Sequence, residues 1–201
     1  MDAGVPAGTD EFVSVAADDP RALPMLRELE REYDQRYGAA WGESASAEIN
    51  RYPAEEFAGP RGAFVLLLRD GVAIAGGAFK PFDDTAVEFK RIWTASTHRR
   101  QGLARRVMAE LEAEARRRGA AEAYLTTGPR QPEAVRLYLA LGYTPLFDLE
   151  RAPEEVVLLG FARSLTDAPL DVEGIRRRHD ESLADFLAGN PFDPSRVDQA
   201  L

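Results

Sequence analysis

The sequence contains no cysteine. That absence excludes disulfides, a thiolate nucleophile, an acyl-cysteine intermediate and cysteine-bound zinc together, and it fits a reducing compartment. Histidine is scarce: His98 and His179 are the only two in 201 residues. Neither has metal-ligand spacing with a carboxylate partner, so the sequence predicts no metal. His98 falls in a loop, where it meets solvent or phosphate, and His179 reads as a surface residue. No apolar run approaches the roughly 18–20 residues that a membrane span needs. The opening "MDAGVPAGTDEF" lacks the order of a signal peptide. Basic residues number 25 against 34 acidic ones, for a formal net charge of −9. Nucleic acid and anionic membrane both need basic surface, so neither is expected as a partner. These features predict a soluble, cytoplasmic protein.

What is present is enough apolar material, 45% of residues, for a substantial core. Residues 1–9 read as a loose tail. A strand is expected over Glu11–Ala16, then a helix capped by Asp19 with Pro20 at its first position. Leu23, Leu26, Leu29 and Tyr33 would share its inner face, and Gly38 would end it. A short helix is expected near Ser46–Arg51. "AFVLLLRDGVAIAGGAF" has two apolar runs around Asp70-Gly71, the pattern of a tight hairpin. A third strand follows over 86–95. Residues 102–118 have the periodicity of a helix, with Leu103, Val107 and Leu111 repeating. A strand at 121–127, a helix at 132–142 and strands near 144–149 and 155–164 complete the pattern. The order predicts a mixed α+β fold, with helices covering a sheet, over residues 10–165. Residues 166–201 form an appendage with one amphipathic helix, turning Ile175, Leu183, Phe186 and Leu187 inward and either packing on the domain or reaching a partner subunit.

The stretch "THRRQGLARRVM" sets Arg99, Arg100, Arg105 and Arg106 around Gly102 in an acidic chain. A helix N-terminus offers unpaired amides and partial positive charge, which suit a phosphate. The small residues Gly102 and Ala104 let the anion approach, and the arginines can clamp its oxygens. A solvated charged turn is the alternative. The nucleotide-hydrolase loop is excluded because no Gly-Lys-Ser/Thr exists, and the dinucleotide fingerprint because this loop has one glycine.

The segment "VEFKRIWTASTHRRQGLARRVMAELEAEARRRGAAEAYLTT…PEAVRLYLALGY" resembles the core of the GNAT superfamily of acyl-CoA-dependent N-acyltransferases. "RRQGLA" (Arg99–Ala104) fits that family's pyrophosphate loop, Q/R-x-x-G-x-G/A. Leu137, Tyr138, Gly142 and Tyr143 fit its "LY-x-x-x-G-[FY]" helix end. The resemblance implies a mostly antiparallel, splayed sheet. It implies acetyl-CoA as cosubstrate, with backbone groups of Ile92 and Thr94 on the pantetheine arm and an amide near Ile92 or Trp93 polarising the thioester carbonyl. The pyrophosphate would lie on amides of Arg100, Gln101, Gly102, Leu103, Ala104 and Arg105, with Arg99 beside them. Tyr138 becomes the acid for the leaving thiolate, although its place on an apolar stripe also suits core packing. Glu88 becomes the candidate base for a protonated amine, or else a strand glutamate paired with Lys90 or Arg91. Trp41 and Trp93 would wall the acceptor pocket or pack in the core. The implied reaction is direct acetyl transfer to a primary amine in a ternary complex, with a small-molecule acceptor and a possible homodimer; the alternatives are a non-catalytic acyl-CoA-binding or sensing module and acetylation of a protein amine.

Overall fold

The computed structural model describes residues 9–37 and 51–189. The tail before Thr9, Gly38, Trp41, most of the short helix expected near 46–51 and the segment after Gly189 lie outside the described residues. β1 spans Asp10–Val15, and a 3-10 turn at Pro20–Ala22 leads into α1, Leu23–Tyr37. β2 (Ala63–Arg69), β3 (Val72–Pro81) and β4 (Ala86–Thr94) follow. Then come α2 (Leu103–Arg117), β5 (Glu122–Thr127), α3 (Pro132–Ala140), β6 (Thr144–Pro145), β7 (Leu159–Ser164) and α4 (Val172–Gly189). The strands form one sheet in the order β1-β2-β3-β4-β5-β7-β6. Every pairing is antiparallel except β4 with β5. This is the mixed α+β, mostly antiparallel architecture that the sequence predicts.

Local chemistry explains the elements. Asp70 and Gly71 both take positive φ, 50° and 80°, and close the β2–β3 hairpin as a tight turn. β2 is an unbroken apolar run because both its faces are covered. Val65 and Leu67 enter the core beneath α2, while Phe64, Leu66 and Leu68 enter the one beneath α1. Asp19 caps as expected, its carboxylate accepting from the Arg21 amide at 2.8 Å. The stripe on α1 is shifted, however. Met25 and Leu29 are buried and Leu23 is 44% exposed, because the 3-10 turn ahead of the helix changes its phase. The expected strand at 144–149 shrinks to two residues. After Leu146 donates to the Gly160 carbonyl at 2.9 Å, the chain turns at Asp148, whose carboxylate accepts from the Glu150 amide.

Two irregularities shape the centre of the sheet. Between β3 and β4 the register passes from Gly76–Trp93 to Ala78–Lys90. Arg91 and Ile92 therefore oppose one residue, Gly77, and β4 bulges there. Arg91 adopts φ 59°, and its guanidinium lies 4.2 Å from the centre of the Phe57 ring. β4 and β5 pair only from Ala86–Glu122 to Phe89–Leu125. Beyond that point the two strands diverge, and the cleft described next opens between them.

Candidate active site

The cleft has a volume of about 1110 Å³. Its floor is the diverging ends of β4 and β5, and α1, α2, α3 and α4 contribute walls. Ile92, Trp93, Thr94, Arg99, Arg100, Gly102, Leu103, Ala104 and Arg105, all singled out in the sequence, line it, as do Glu88 and Tyr138. Gln101 does not. Its side chain turns outward and accepts from Arg69 Nη1 at 3.3 Å, which leaves only its backbone for the loop.

Gly102 is the N-cap of α2 at φ 74°, and no side chain caps the helix. A Cβ built on Gly102 would meet nothing within 4 Å, so within the protein glycine is required by the φ angle rather than by crowding. Arg100 also takes positive φ, 64°. The first amides of α2 have no helical partners, and Gly102, Leu103, Ala104 and Arg105 line the cleft. Among the described residues, Arg100 and Arg105 make no ion pair, which leaves both cations available to an anion. Arg99 is committed elsewhere, its Nη2 lying 2.9 Å from Glu32 Oε2 on α1. Glu28 secures the same junction by accepting from Trp93 Nε1 at 2.8 Å and from the Ser96 amide at 3.0 Å. Burial raises the Glu28 pKa, but these hydrogen bonds outweigh it and hold the carboxyl below its ordinary range. Trp93 is thus a buried structural side chain whose ring packs in the core under α1.

Fit to an acyl-CoA can be tested on β4. The Thr94 Oγ1 atom is buried without a hydrogen-bond partner, an arrangement that costs on the order of 1–3 kcal/mol unless a ligand satisfies it. Past Phe89 the β4 main chain has no β5 partner either. A narrow molecule rich in amides suits both features, and the pantetheine arm of coenzyme A is one. Tyr138 stands on the far wall, 5% exposed, its ring 5.4 Å from that of Phe161 and 6.0 Å from that of Tyr143. Its hydroxyl has no hydrogen-bond partner among the described residues. Burial pushes the phenol above its ordinary pKa, so it remains protonated at neutral pH.

The other half of the cleft holds a charge cluster. Glu88 Oε1 lies 2.8 Å from Lys90 Nζ and Glu88 Oε2 3.5 Å from Lys80 Nζ. These are the only two lysines in the sequence. The expected pairing with Lys90 is present, Arg91 is not involved, and Lys80 joins from β3 through the Lys80–Glu88 register. Glu88 also faces Tyr124 across the parallel pair. The Tyr124 hydroxyl lies 2.8 Å from His179 Nδ1.

His179 corrects the sequence reading. It is not on the surface but 4% exposed, because α4 packs against the sheet. Burial lowers its pKa from the ordinary 6.5, with Asp180 and Glu88 opposing the shift. Sequence reasoning missed His179 and Tyr124 as cleft residues and Lys80 as a second partner of Glu88. One signal was available: Ile175, His179, Leu183 and Phe186 recur at helical spacing on one face of α4. His98, by contrast, bonds Thr97 Oγ1 at 2.9 Å and does not line the cleft.

The model of the acetyltransferase (GNAT) family matches residues 23–143. Among curated proteins, none matches the sequence. Solved structures share the fold. A Klebsiella pneumoniae protein assigned as an acyl-CoA N-acyltransferase has a TM-score of 0.60 at 21% identity, over 79% of this chain and 99% of that one. An acetyltransferase of the GNAT family from Staphylococcus aureus gives 0.61 at 11% identity, over 79% and 100% of the two chains. The Salmonella typhimurium protein yncA, solved with its cofactor acetyl-CoA, gives 0.55 at 18% identity, over 80% and 96%. Among the described residues, no helix is long and apolar enough to cross a membrane. The family match spans more than half of the 201 residues and contains both the loop at Gly102 and Tyr138, and the chain belongs to the GNAT family of acetyltransferases.

Proposed function

We propose that the protein transfers an acetyl group from acetyl-CoA to the primary amine of a small molecule, by direct attack in a ternary complex. The observation that carries this reading is the break in β4–β5 pairing after Phe89–Leu125, beside a helix start with free amides and two arginines, Arg100 and Arg105, that make no ion pair among the described residues. The cosubstrate supplies an activated acyl thioester. Amides of Gly102 to Arg105, with Arg100 and Arg105, would hold its pyrophosphate. The exposed main chain of Ile92 to Thr94 and the Thr94 hydroxyl would hold its arm and turn the thioester toward the charge cluster.

Tyr138 is the acid of this reading. The departing sulfur needs a proton, and a buried, protonated phenol with no hydrogen-bond partner among the described residues is suited to give one. Glu88 places negative charge where an ammonium would arrive. As a base it would first have to release Lys90 from Oε1 or Lys80 from Oε2. The absence of cysteine removes the acyl-cysteine route, which favours direct attack.

The test has two arms. Calorimetry with acetyl-CoA should register binding at one site, and a thiol assay should register free CoA with some member of a panel of small amines. Failure to bind acetyl-CoA would overturn the reading. Binding without thiol release across the panel would convert it to a non-catalytic acyl-CoA sensor. Release with a peptide amine alone would move the acceptor to protein.

A further inference from the structure

The cleft contains a buried pair of titratable side chains that the acyl-transfer reading does not use. Tyr124 on β5 and His179 on α4 both line it, with Tyr124 Oη and His179 Nδ1 2.8 Å apart. Neither ring is there by accident of packing. Gly160 on β7 admits the imidazole: a Cβ at that position would sit 2.8 Å from His179 Cε1. Phe82 stacks on the other ring with centroids 4.2 Å apart and planes 24° apart. Ile175, wholly buried, and Arg178, paired with Asp83 and Glu122, set the helix that delivers the histidine. Among the described residues, His179 Nε2 has no hydrogen-bond partner.

We propose that Tyr124 and His179 form the proton exit for the acceptor amine, Tyr124 touching the amine and His179 drawing the proton onward. The inference rests on the amine-acylation reading above. In the tautomer with hydrogen on Nε2, His179 Nδ1 accepts from the Tyr124 hydroxyl. An ammonium placed against Tyr124 Oη gives that oxygen a proton while the phenol's own proton passes to His179 Nδ1. No phenolate forms, which matters because burial holds the Tyr124 phenol well above its ordinary pKa. The nitrogen lone pair so freed attacks the thioester carbonyl carbon. The carbon–sulfur bond breaks as sulfur takes a proton from Tyr138, and the acylated nitrogen gives up its second proton to return Tyr138 to the phenol, which leaves a neutral amide and a free thiol. The imidazolium then loses its Nε2 proton to solvent through the cleft, and proton exchange with solvent returns the neutral ring to the Nε2–H tautomer for the next turnover.

The position suits the task better than Glu88 does. Each oxygen of Glu88 already faces an ammonium, whereas the Tyr124–His179 pair is uncharged and can accept a net proton. The groups that face the pair are Glu88 and Lys90 on β4, Tyr52 and, on α4 itself, Asp180. Glu88 and Asp180 favour the imidazolium that forms in the transfer, and burial favours the neutral ring that must exist before it.

His179→Gln tests the inference, since glutamine can keep the bond to Tyr124 but cannot titrate. Acetyl-CoA binding, melting temperature and the pH profile of kcat/KM are measured for wild type, His179→Gln, Tyr124→Phe and Glu88→Gln. Wild type should lose activity on the acid side with an apparent pKa below 6.5. His179→Gln and Tyr124→Phe should abolish that limb and lower kcat by about 100-fold or more, with acetyl-CoA affinity unchanged. If His179→Gln melts early, Tyr124→Phe, which keeps its ring and stacking, carries the same prediction. A wild-type rate and limb in both variants, or a limb removed by Glu88→Gln instead, overturns the inference and leaves the acyl-transfer reading intact. Acetyl-CoA binding without thiol release by wild type defeats that reading, and the proton exit falls with it.

Discussion

Arg178 on α4 lies between two acids, Glu122 at the start of β5 and Asp83 in the β3–β4 turn, with Nη2 2.6 Å from Glu122 Oε2 and Nη1 in contact with Asp83 Oδ2. Burial works against the charged guanidinium, but the two carboxylates more than compensate and raise its pKa. This ion triad, together with Ile175, fastens a helix outside the family match onto β5 and β7. Arg178→Ala should cost about 1 kcal/mol, given the partial exposure of the pairs. For a chain of this length that corresponds to a fall of about 2–4 °C in Tm. Limited proteolysis should cut faster between residues 166 and 189. An unchanged melting curve and an unchanged digestion pattern would show that α4 is held by its apolar contacts alone.

Gly102 separates stability from binding. Alanine at φ 74° is strained by roughly 1–2 kcal/mol, yet the space around a new Cβ is open within the protein. Gly102→Ala should therefore fold, with a small loss of stability. Its methyl group would project where the pyrophosphate is proposed to sit, so acetyl-CoA affinity should fall by 10-fold or more in calorimetry. Equal affinities for the two proteins would remove the anion from this turn.

Tyr138→Phe should leave both the fold and cosubstrate binding intact, because the hydroxyl has no partner among the described residues and the ring contacts persist. The turnover number should drop by about 100-fold if the phenol protonates the leaving sulfur. A substrate whose thiol leaving group is more acidic should recover part of the rate. Wild-type turnover in the variant would reduce Tyr138 to a packing residue.

Stability should depend on pH through His179. Its folded pKa lies below the unfolded value of 6.5, so the unfolded chain takes up a proton that the native state refuses. The contribution is complete above 6.5 and is lost as pH falls through the folded value. Urea unfolding at pH 7.5 and 5.5 should therefore show wild type weaker at the lower pH, and His179→Gln should narrow the difference. The lowered pKa values of Glu28, Glu114 and Asp83 act below about 4.5, outside that interval. Parallel pH curves for the two proteins would refute the assignment.

Local signals made most of the fold legible. Asp70-Gly71, the period of Leu103, Val107 and Leu111, and Pro132 at the start of α3 each specify their element through nearby chemistry. The loop at Gly102 was legible for the same reason, since φ demand, helix start and arginines all lie within a few residues. What the sequence concealed were contacts between distant segments. Lys80 meets Glu88 only because β3 and β4 pair in one register. His179 meets Tyr124 across 55 positions, and the docking that joins them depends on Arg178, which reads in the sequence as one more surface charge. The Arg91 bulge leaves its mark on the partner strand rather than on β4 itself: Gly77 stands opposite it, where a Cβ would lie 2.8 Å from Ile92 Cδ1.

The divergence of β4 from β5 has a consequence for the behaviour of the whole molecule. Strand rims on the outside of a protein invite neighbouring chains to add on and form fibres. Here the two bare rims beyond Phe89 and Leu125 face each other across a cleft walled by helices, so they offer a neighbouring chain less to add onto than the outer edges of β1 and β6 do.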